Sequence, residues 1–173
     1  MPSQGSVSAL CGSSAAVAAC YGEMRHIARR ILLSAGDRLL FQPTELAHEA
    51  AIRLLMIDAT RFESNAHMLA TAARITRRAL LDEIRASHAV KRRPLLRTRW
   101  PDGAYDARLD ELDDAIEALG AISPDHARII ELRFFLGMTV EEAATAEGVS
   151  PRSIKRRWAA ARAWLQERIE NGA

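Results

Sequence analysis

A chain of 173 residues with a formal net charge of +2 makes one or two small domains. Its 49% hydrophobic and 5% aromatic content can build helical cores and argues against long disorder. No run of about 18 apolar residues occurs, which excludes a membrane-spanning helix and leaves a cytoplasmic protein as the expectation. The small net charge hides a segregation. Residues 1–93 carry 13 basic and 8 acidic side chains, residues 109–123 five acids and no base, and residues 150–173 six bases and two acids. Basic blocks at both ends predict two contacts with one polyanion.

Residues 1–14 are small and polar and read as a disordered tail. A first helix is predicted over residues 15–33. Cys11 and Cys20 are spaced unlike any zinc pattern, and reduced thiols are expected. The stretch Val17-Ala18-Ala19-Cys20 superficially resembles a lipoprotein cleavage box, but no basic segment precedes it, so lipidation is not expected. A second helix begins near Pro43 and Thr44 and runs to about Ile57. Leu46, Ala50, Leu54 and Ile57 suit its core side, while Glu45, Glu49, Ile52 and Met56 fall along another face. That face, acidic at one end and apolar at the other, suits either protein docking or an ordinary amphipathic helix.

Residues 58–64 read as a loop and residues 65–88 as a long helix, with Met68, Ala72, Ile75 and Ala79 as its apolar stripe. Arg74, Arg78 and Arg85 gather on a different face, with Arg77 at its edge. Residues 95–108, with Pro101 and Gly103 after Pro94, read as a linker. Residues 109–119 form an acidic helix and residues 124–136 another. No strand and no internal repeat is predicted.

The last fifty residues read as a helix-turn-helix. Thr139 and Glu142 have the spacing of a capping box. Gly148 suits the turn, Ser150 caps a new helix, and Pro151 stands at its first position. Ile154, Trp158, Ala161 and Leu165 share one face; Arg152, Lys155 and Arg156 point the other way, with Arg157 flanking the stripe. Such a helix can bury one side and lay the other in a major groove. The five histidines are scattered, and no nucleophile–base pair, P-loop or GxGxxG occurs, so neither catalysis, a metal nor a cofactor is expected.

The order of these parts resembles the extracytoplasmic-function (ECF) sigma factors, the minimal two-domain bacterial RNA polymerase sigma subunits. The resemblance covers about residues 18–170. Tyr21-Gly22-Glu23-Met24-Arg25 and Ala28-Arg29-Arg30 are similar to the family's opening helix. The stretch from Gln42 through Ala50 is similar to its polymerase-binding helix, and Ala73-Arg74 with Asp82-Glu83-Ile84-Arg85 to its promoter-reading helix. Arg133 to Leu165 resembles region 4. Ile75 stands where many members have asparagine, and Gln42 and Thr44 stand where an acidic run is usual. The QPT…HEA pattern is similar to a subgroup linked to Ser/Thr kinases.

The resemblance implies an all-α protein of two small helical domains. Residues 15–94 would be region 2, residues 95–108 a flexible linker and residues 109–170 region 4. Region 2 would bind the clamp helices of core polymerase through Glu45, Glu49, Ile52 and Met56. It would bind the −10 element through Arg74, Arg77, Arg78 and Arg85, with the loop 58–66 holding an unstacked base. Region 4 would meet the polymerase flap and read the −35 element through Arg152, Ser153, Lys155, Arg156 and Arg157. Thr44 is a candidate phosphosite, the alternative being that it simply caps its helix. An anti-sigma factor or a kinase is a further candidate partner. Two other readings stand beside this one: a stand-alone helix-turn-helix regulator, and a decoy homologue that sequesters a regulator.

Overall fold

The structure, a computed structural model, describes residues 4–34, 42–58, 61–88, 97–99 and 106–171. In chain order come α1 (Gln4–Ser34), α2 (Pro43–Leu55), α3 (Asn65–His88), β1 (Arg97–Arg99), β2 (Asp106–Arg108), α4 (Leu109–Ile122), α5 (Pro124–Ile130), α6 (Val140–Glu147) and α7 (Pro151–Glu170). Among the described residues the fold is all-α apart from one short ladder. There β1 and β2 pair antiparallel with Arg97 opposite Arg108 and Arg99 opposite Asp106. This ladder lies in the stretch expected to be a strandless linker, so that expectation is corrected at residues 97–99 and 106–108. Helix α1 begins at Gln4, inside the stretch 1–14 that reads as a tail by composition; residues 1–3 lie outside the described residues.

The N-terminal half is a three-helix arrangement. Cys20, Met24, Ile27 and Ala28 recur at helical spacing on α1, and all four are fully buried. Helix α2 buries Leu46, Ala47, Ala50, Ala51 and Leu54 against α1 and α3. Its first helical position is Pro43, whose missing N–H costs nothing there. The N-cap is Gln42, whose backbone N–H donates to Glu45 Oε2 at 2.9 Å. Thr44 sits inside the first turn, so the expectation that it caps the helix is corrected. Burial pushes the Cys20 thiol up to about 11, helped by the nearby Glu23 charge, which leaves it an unreactive core residue.

Helix α3 is buried on more than one side. Of the predicted stripe, Ala72 and Ala79 are buried and Met68 and Ile75 half-buried. A second row, through Leu69, Ala73, Arg77, Leu80 and Ile84, is buried as well. Helices α1 and α2 cover one flank; α4, α5 and the following turn cover the other. One cluster of buried apolar residues therefore runs from Cys20 to Leu165 through both halves.

In the C-terminal half α5 widens into a π-helical turn, Glu131–Phe135, before the helix-turn-helix. Both caps read from the sequence are present. The Thr139 amide donates to Glu142 Oε2 at 2.7 Å, and the Glu142 amide donates to Thr139 Oγ1 at 3.1 Å. Gly148 takes φ 65°, a conformation that side chains rarely adopt. The Ser153 amide then donates to Ser150 Oγ at 3.2 Å, opening α7.

Thr139→Ala should therefore cost about 1 kcal/mol, the usual worth of an N-cap. The Thr139 amide and hydroxyl hold the Glu142 carboxyl below its ordinary value near 4.5. A depressed carboxyl stabilises the fold above that ordinary value and loses its contribution as the pH falls through the lowered one. Glu142→Gln should abolish this component of the acid sensitivity. Thermal unfolding between pH 6 and pH 3 checks it, and parallel acid losses in both proteins would show that the box is not operating.

Candidate nucleic-acid interface

Helix α7 sorts its side chains as its spacing predicts. Ile154, Ala161 and Leu165 are fully buried, and Trp158 is half-buried with the Arg133 guanidinium 4.5 Å above its ring. Arg152, Lys155 and Arg156 are exposed at the N-terminal end of the helix. No hydrogen bond or ion pair engages these three among the described residues, so their charge is available to an external anion. Ser153 is half-buried, with its hydroxyl 3.0 Å from that of Ser150.

Arg157 is placed differently from those three. It lies 3.3 Å from Asp125 and 3.8 Å from Glu147, with its side chain 24% exposed. Arg128, which the sequence reading did not single out, approaches the same two acids at 2.9 and 3.2 Å. The Glu147 side chain is only 7% exposed. Two arginines on two buried or half-buried acids thus pin α5, α6 and α7 together. Arg157 belongs to that pin and not to the free basic face.

The four arginines expected on the −10 face of α3 divide in the same way. Arg74 is exposed, and Arg85 is exposed beside Asp82 at 3.8 Å. Arg78 pairs with Glu117 of α4 at the surface. Arg77 is fully buried. Its Nε donates to Asp113 Oδ1 and its Nη1 to Glu131 Oε1, both at 2.6 Å, while the Phe135 ring stands 4.7 Å from the guanidinium. Burial alone would lower the Arg77 pKa, but the Glu131 and Asp113 charges hold it above its ordinary value. For Glu131 burial wins and pushes the carboxyl up, against the pull of Arg77. Arg77, expected on the −10 face with Arg74, Arg78 and Arg85, is thus buried in the seam and does not share their exposed surface.

A cleft of about 400 Å³ opens along this seam, with Glu63, Arg74, Glu117, Arg128 and Glu131 in its wall. Its mixed charge suits pairing between the two halves better than capture of a polyanion. The signal for the buried acids was present in the sequence. Asp113 falls among Leu109, Leu112, Ile116 and Leu119, an acid inside an apolar stripe.

Helix α2 presents the other candidate surface. Ile52 is 58% and Met56 85% exposed, and Leu55, not named from the sequence, adds a further 40% exposed apolar side chain. Glu45 and Glu49 are exposed on the same helix. Glu49 pairs with Arg53 at 3.1 Å, and Arg53 reaches Asp82 of α3 at 2.7 Å. Of the loop 58–66, Ala59 and Thr60 lie outside the described residues, and Phe62 packs edge-on to His67 at 6.0 Å. No described helix is long and apolar enough to cross a membrane, and among the described residues no group of three His, Cys, Asp or Glu side chains could hold a metal ion.

Comparison with known proteins bears on the whole of this arrangement. No match was found among curated proteins or among solved structures. The family model described as "ECF sigma factor" matches residues 12–171. That span holds α2 with its exposed apolar face, the arginines of α3 and the capped helix-turn-helix. The chain belongs to the ECF sigma factor family, the sigma subunits that act in transcription initiation with core RNA polymerase and promoter DNA.

Proposed function

We propose that this chain directs core polymerase to a set of promoters by reading a −35 element with α7 and a −10 element with α3. The observation that carries the reading is the free cationic row Arg152, Lys155 and Arg156 at the start of a helix whose opposite side is buried. A recognition helix contacts base edges with its N-terminal residues, and phosphate contacts supply most of the affinity. Ser153 adds a hydroxyl at the same end. Arg74 and Arg85 are the exposed cations that α3 offers to the −10 strand, and the loop 58–66 would hold an unstacked base. Region 2 would seat on the polymerase clamp through Glu45, Glu49, Ile52 and Met56, with Leu55 extending the apolar patch.

The division into region 2 over residues 15–94 and region 4 over residues 109–170 is part of this proposal, as is region 4 contact with the polymerase flap. Run-off transcription with core polymerase on a genomic promoter library tests the proposal. Activity at a subset of promoters is expected. Core binding with no initiation would favour the decoy reading, and promoter binding that core polymerase does not alter would favour a stand-alone regulator.

Within α7 the free and pinned arginines should behave differently. Arg152→Ala or Arg156→Ala should weaken use of the matched −35 element by roughly 1–3 kcal/mol per lost base contact. Arg157→Ala should mainly lower the thermal stability of the helix-turn-helix. Equal losses on matched and scrambled −35 sequences would mean that Arg152 and Arg156 hold only phosphates.

Thr44 is half-buried in the first turn of α2 while Gln42 holds the cap position, so its hydroxyl is not committed to capping. Phosphorylation there by a Ser/Thr kinase would add about −1.5 to −2 charges to the positive end of the helix dipole. It would restore acidity where the polymerase-binding helix has Gln42 and Thr44. Thr44→Asp and Thr44→Glu should raise affinity for core polymerase, and Thr44→Ser should keep regulation. Unchanged core affinity in both acidic variants would remove Thr44 as a switch.

A further inference from the structure

Arg133 sits in the wide turn before the helix-turn-helix and faces α7. In that turn the Leu136 amide donates to the Glu131 carbonyl at 3.1 Å, the bond pattern of a π-helix. Glu131, Leu132, Phe134 and Phe135 of the turn are buried, and Arg133 alone is half-buried. Its guanidinium lies 4.5 Å from the centre of the Trp158 ring. No hydrogen bond or ion pair engages that guanidinium among the described residues, and its Nε is buried without a partner. Burial lowers the Arg133 pKa from its ordinary value, against the opposing pull of the Glu141 charge. A guanidinium partly stripped of water gains more from an aromatic face than an exposed one does.

Trp158 is the side chain through which this contact reaches α7. Together with Met138 it packs against both apolar clusters, the small one that fastens the helix-turn-helix and the large one that runs through the molecule. At about 3.6 residues per turn, Trp158 falls on one side of the line through Ile154, Ala161 and Leu165, and Arg157 falls on the other. Apolar burial is non-directional, so that line fixes the depth of α7 more firmly than its rotation about its own axis. The two flanking contacts are directional: Arg157 on Asp125 and Glu147, and Trp158 under Arg133. A rotation of about 10° at the ~6 Å outer radius of a helix moves a side chain by roughly 1 Å. Such a shift breaks a hydrogen bond to a base edge, whereas a charge facing a phosphate tolerates it.

We infer that Arg133 is a positioning residue for −35 reading, which holds the rotation of α7 by stacking on Trp158 and so sets how Arg152 and Arg156 meet base edges. The inference rests on the reading of α7 as the −35 helix. Because Arg133 acts through Trp158, its effect falls on discrimination between sequences and not on attraction to DNA in general.

Run-off transcription with the full chain and core polymerase tests it, on a promoter carrying either its matched or a scrambled −35 element. Arg133→Lys keeps the charge and loses the planar face. Trp158→Leu keeps an apolar side chain and loses the ring. Each should lower the matched-to-scrambled ratio about fivefold to tenfold, and the double variant no further than either alone. Trp158→Phe keeps a ring and should hold the ratio within about twofold of the unmodified chain. Holoenzyme binding to the matched promoter should keep its salt dependence in Arg133→Gln.

An unchanged ratio in Arg133→Lys beside a loss in Arg133→Gln would overturn the inference, because charge alone would then suffice. So would losses that multiply in the double variant, or a slope of log affinity on log salt reduced by about one in Arg133→Gln, the mark of a phosphate contact. Arg152→Ala, run beside them, separates the two levels. A loss there with none in Arg133→Lys overturns the positioning role alone, and no loss in either overturns the reading of α7 as well. Melted without DNA or polymerase, the double variant should lose less thermal stability than the single variants added together; simple addition would overturn the stack itself.

Discussion

A single buried cation sets the terms for the rest of the molecule. Arg77 has no exposure to water, and its interior partners are Asp113 and Glu131, 36 and 54 residues further along the chain. Moving an ion into a protein interior costs several kcal/mol even after relaxation, and that cost is offset only when good geometry and hydrogen bonds accompany the pairing. Here two bonds of 2.6 Å and an aromatic face supply most of the compensation, while Arg77 Nη2 and Glu131 Oε2 are buried without a hydrogen-bond partner among the described residues. Removing one partner of such a group typically costs about 3–5 kcal/mol, because the remaining charge stays buried. The halves of the chain are therefore coupled. Either α4 and the π-helical turn stay on α3, or Arg77 must find water or another anion.

This coupling contrasts with the way the helix-turn-helix is held. Its caps join residues three apart, Thr139 with Glu142 and Ser150 with Ser153, and Gly148 turns the backbone between them. A small apolar cluster of Ile129, Ala143, Ala144 and Ile154 fastens α5, α6 and α7, and the acids Asp125 and Glu147 hold Arg128 and Arg157 around it. The basic end of α7 is thus presented by contacts within the C-terminal half. The arginine face of α3 is shared with that half, so the two basic faces answer to different constraints.

The same distinction explains what could be read from the sequence. Caps, turn glycines and amphipathic stripes are written in spacings of three and four residues, which is why the limits of α2, α3, α6 and α7 and the burial of Ile154, Ala161 and Leu165 were legible. Arg77 was assigned to a solvated face because Met68, Ala72, Ile75 and Ala79 form a sufficient stripe by themselves. Nothing local announces that α3 is covered on a second flank. Asp113 carried a better signal, an acid among Leu109, Leu112 and Ile116, yet its partner lies on another helix and a single sequence does not name it. The β1–β2 ladder was missed because Pro94, Pro101 and Gly103 punctuate its surroundings and each strand is only three residues long. The continuation of α1 back to Gln4 runs through small polar residues that favour a tail by composition.

The segregation of charge along the chain also takes on a physical meaning. A net charge of +2 is small for a chain whose family acts on a polyanion, and the five acids of residues 109–123 are much of the reason. Scattered over the surface they would lower the affinity for DNA everywhere. Two of the five, Asp113 and Glu117, are set against Arg77 and Arg78, while Asp110 and Glu111 pair with Arg108; Arg152, Lys155 and Arg156 face none of them. The surface pair Arg78–Glu117 is open to screening by salt, whereas the buried bonds of Arg77 are screened much less. Ionic strength alone would therefore loosen the rim of the seam and leave its centre closed. Separating the centre would leave the Arg77 guanidinium in need of water or another anion in place of Asp113 and Glu131.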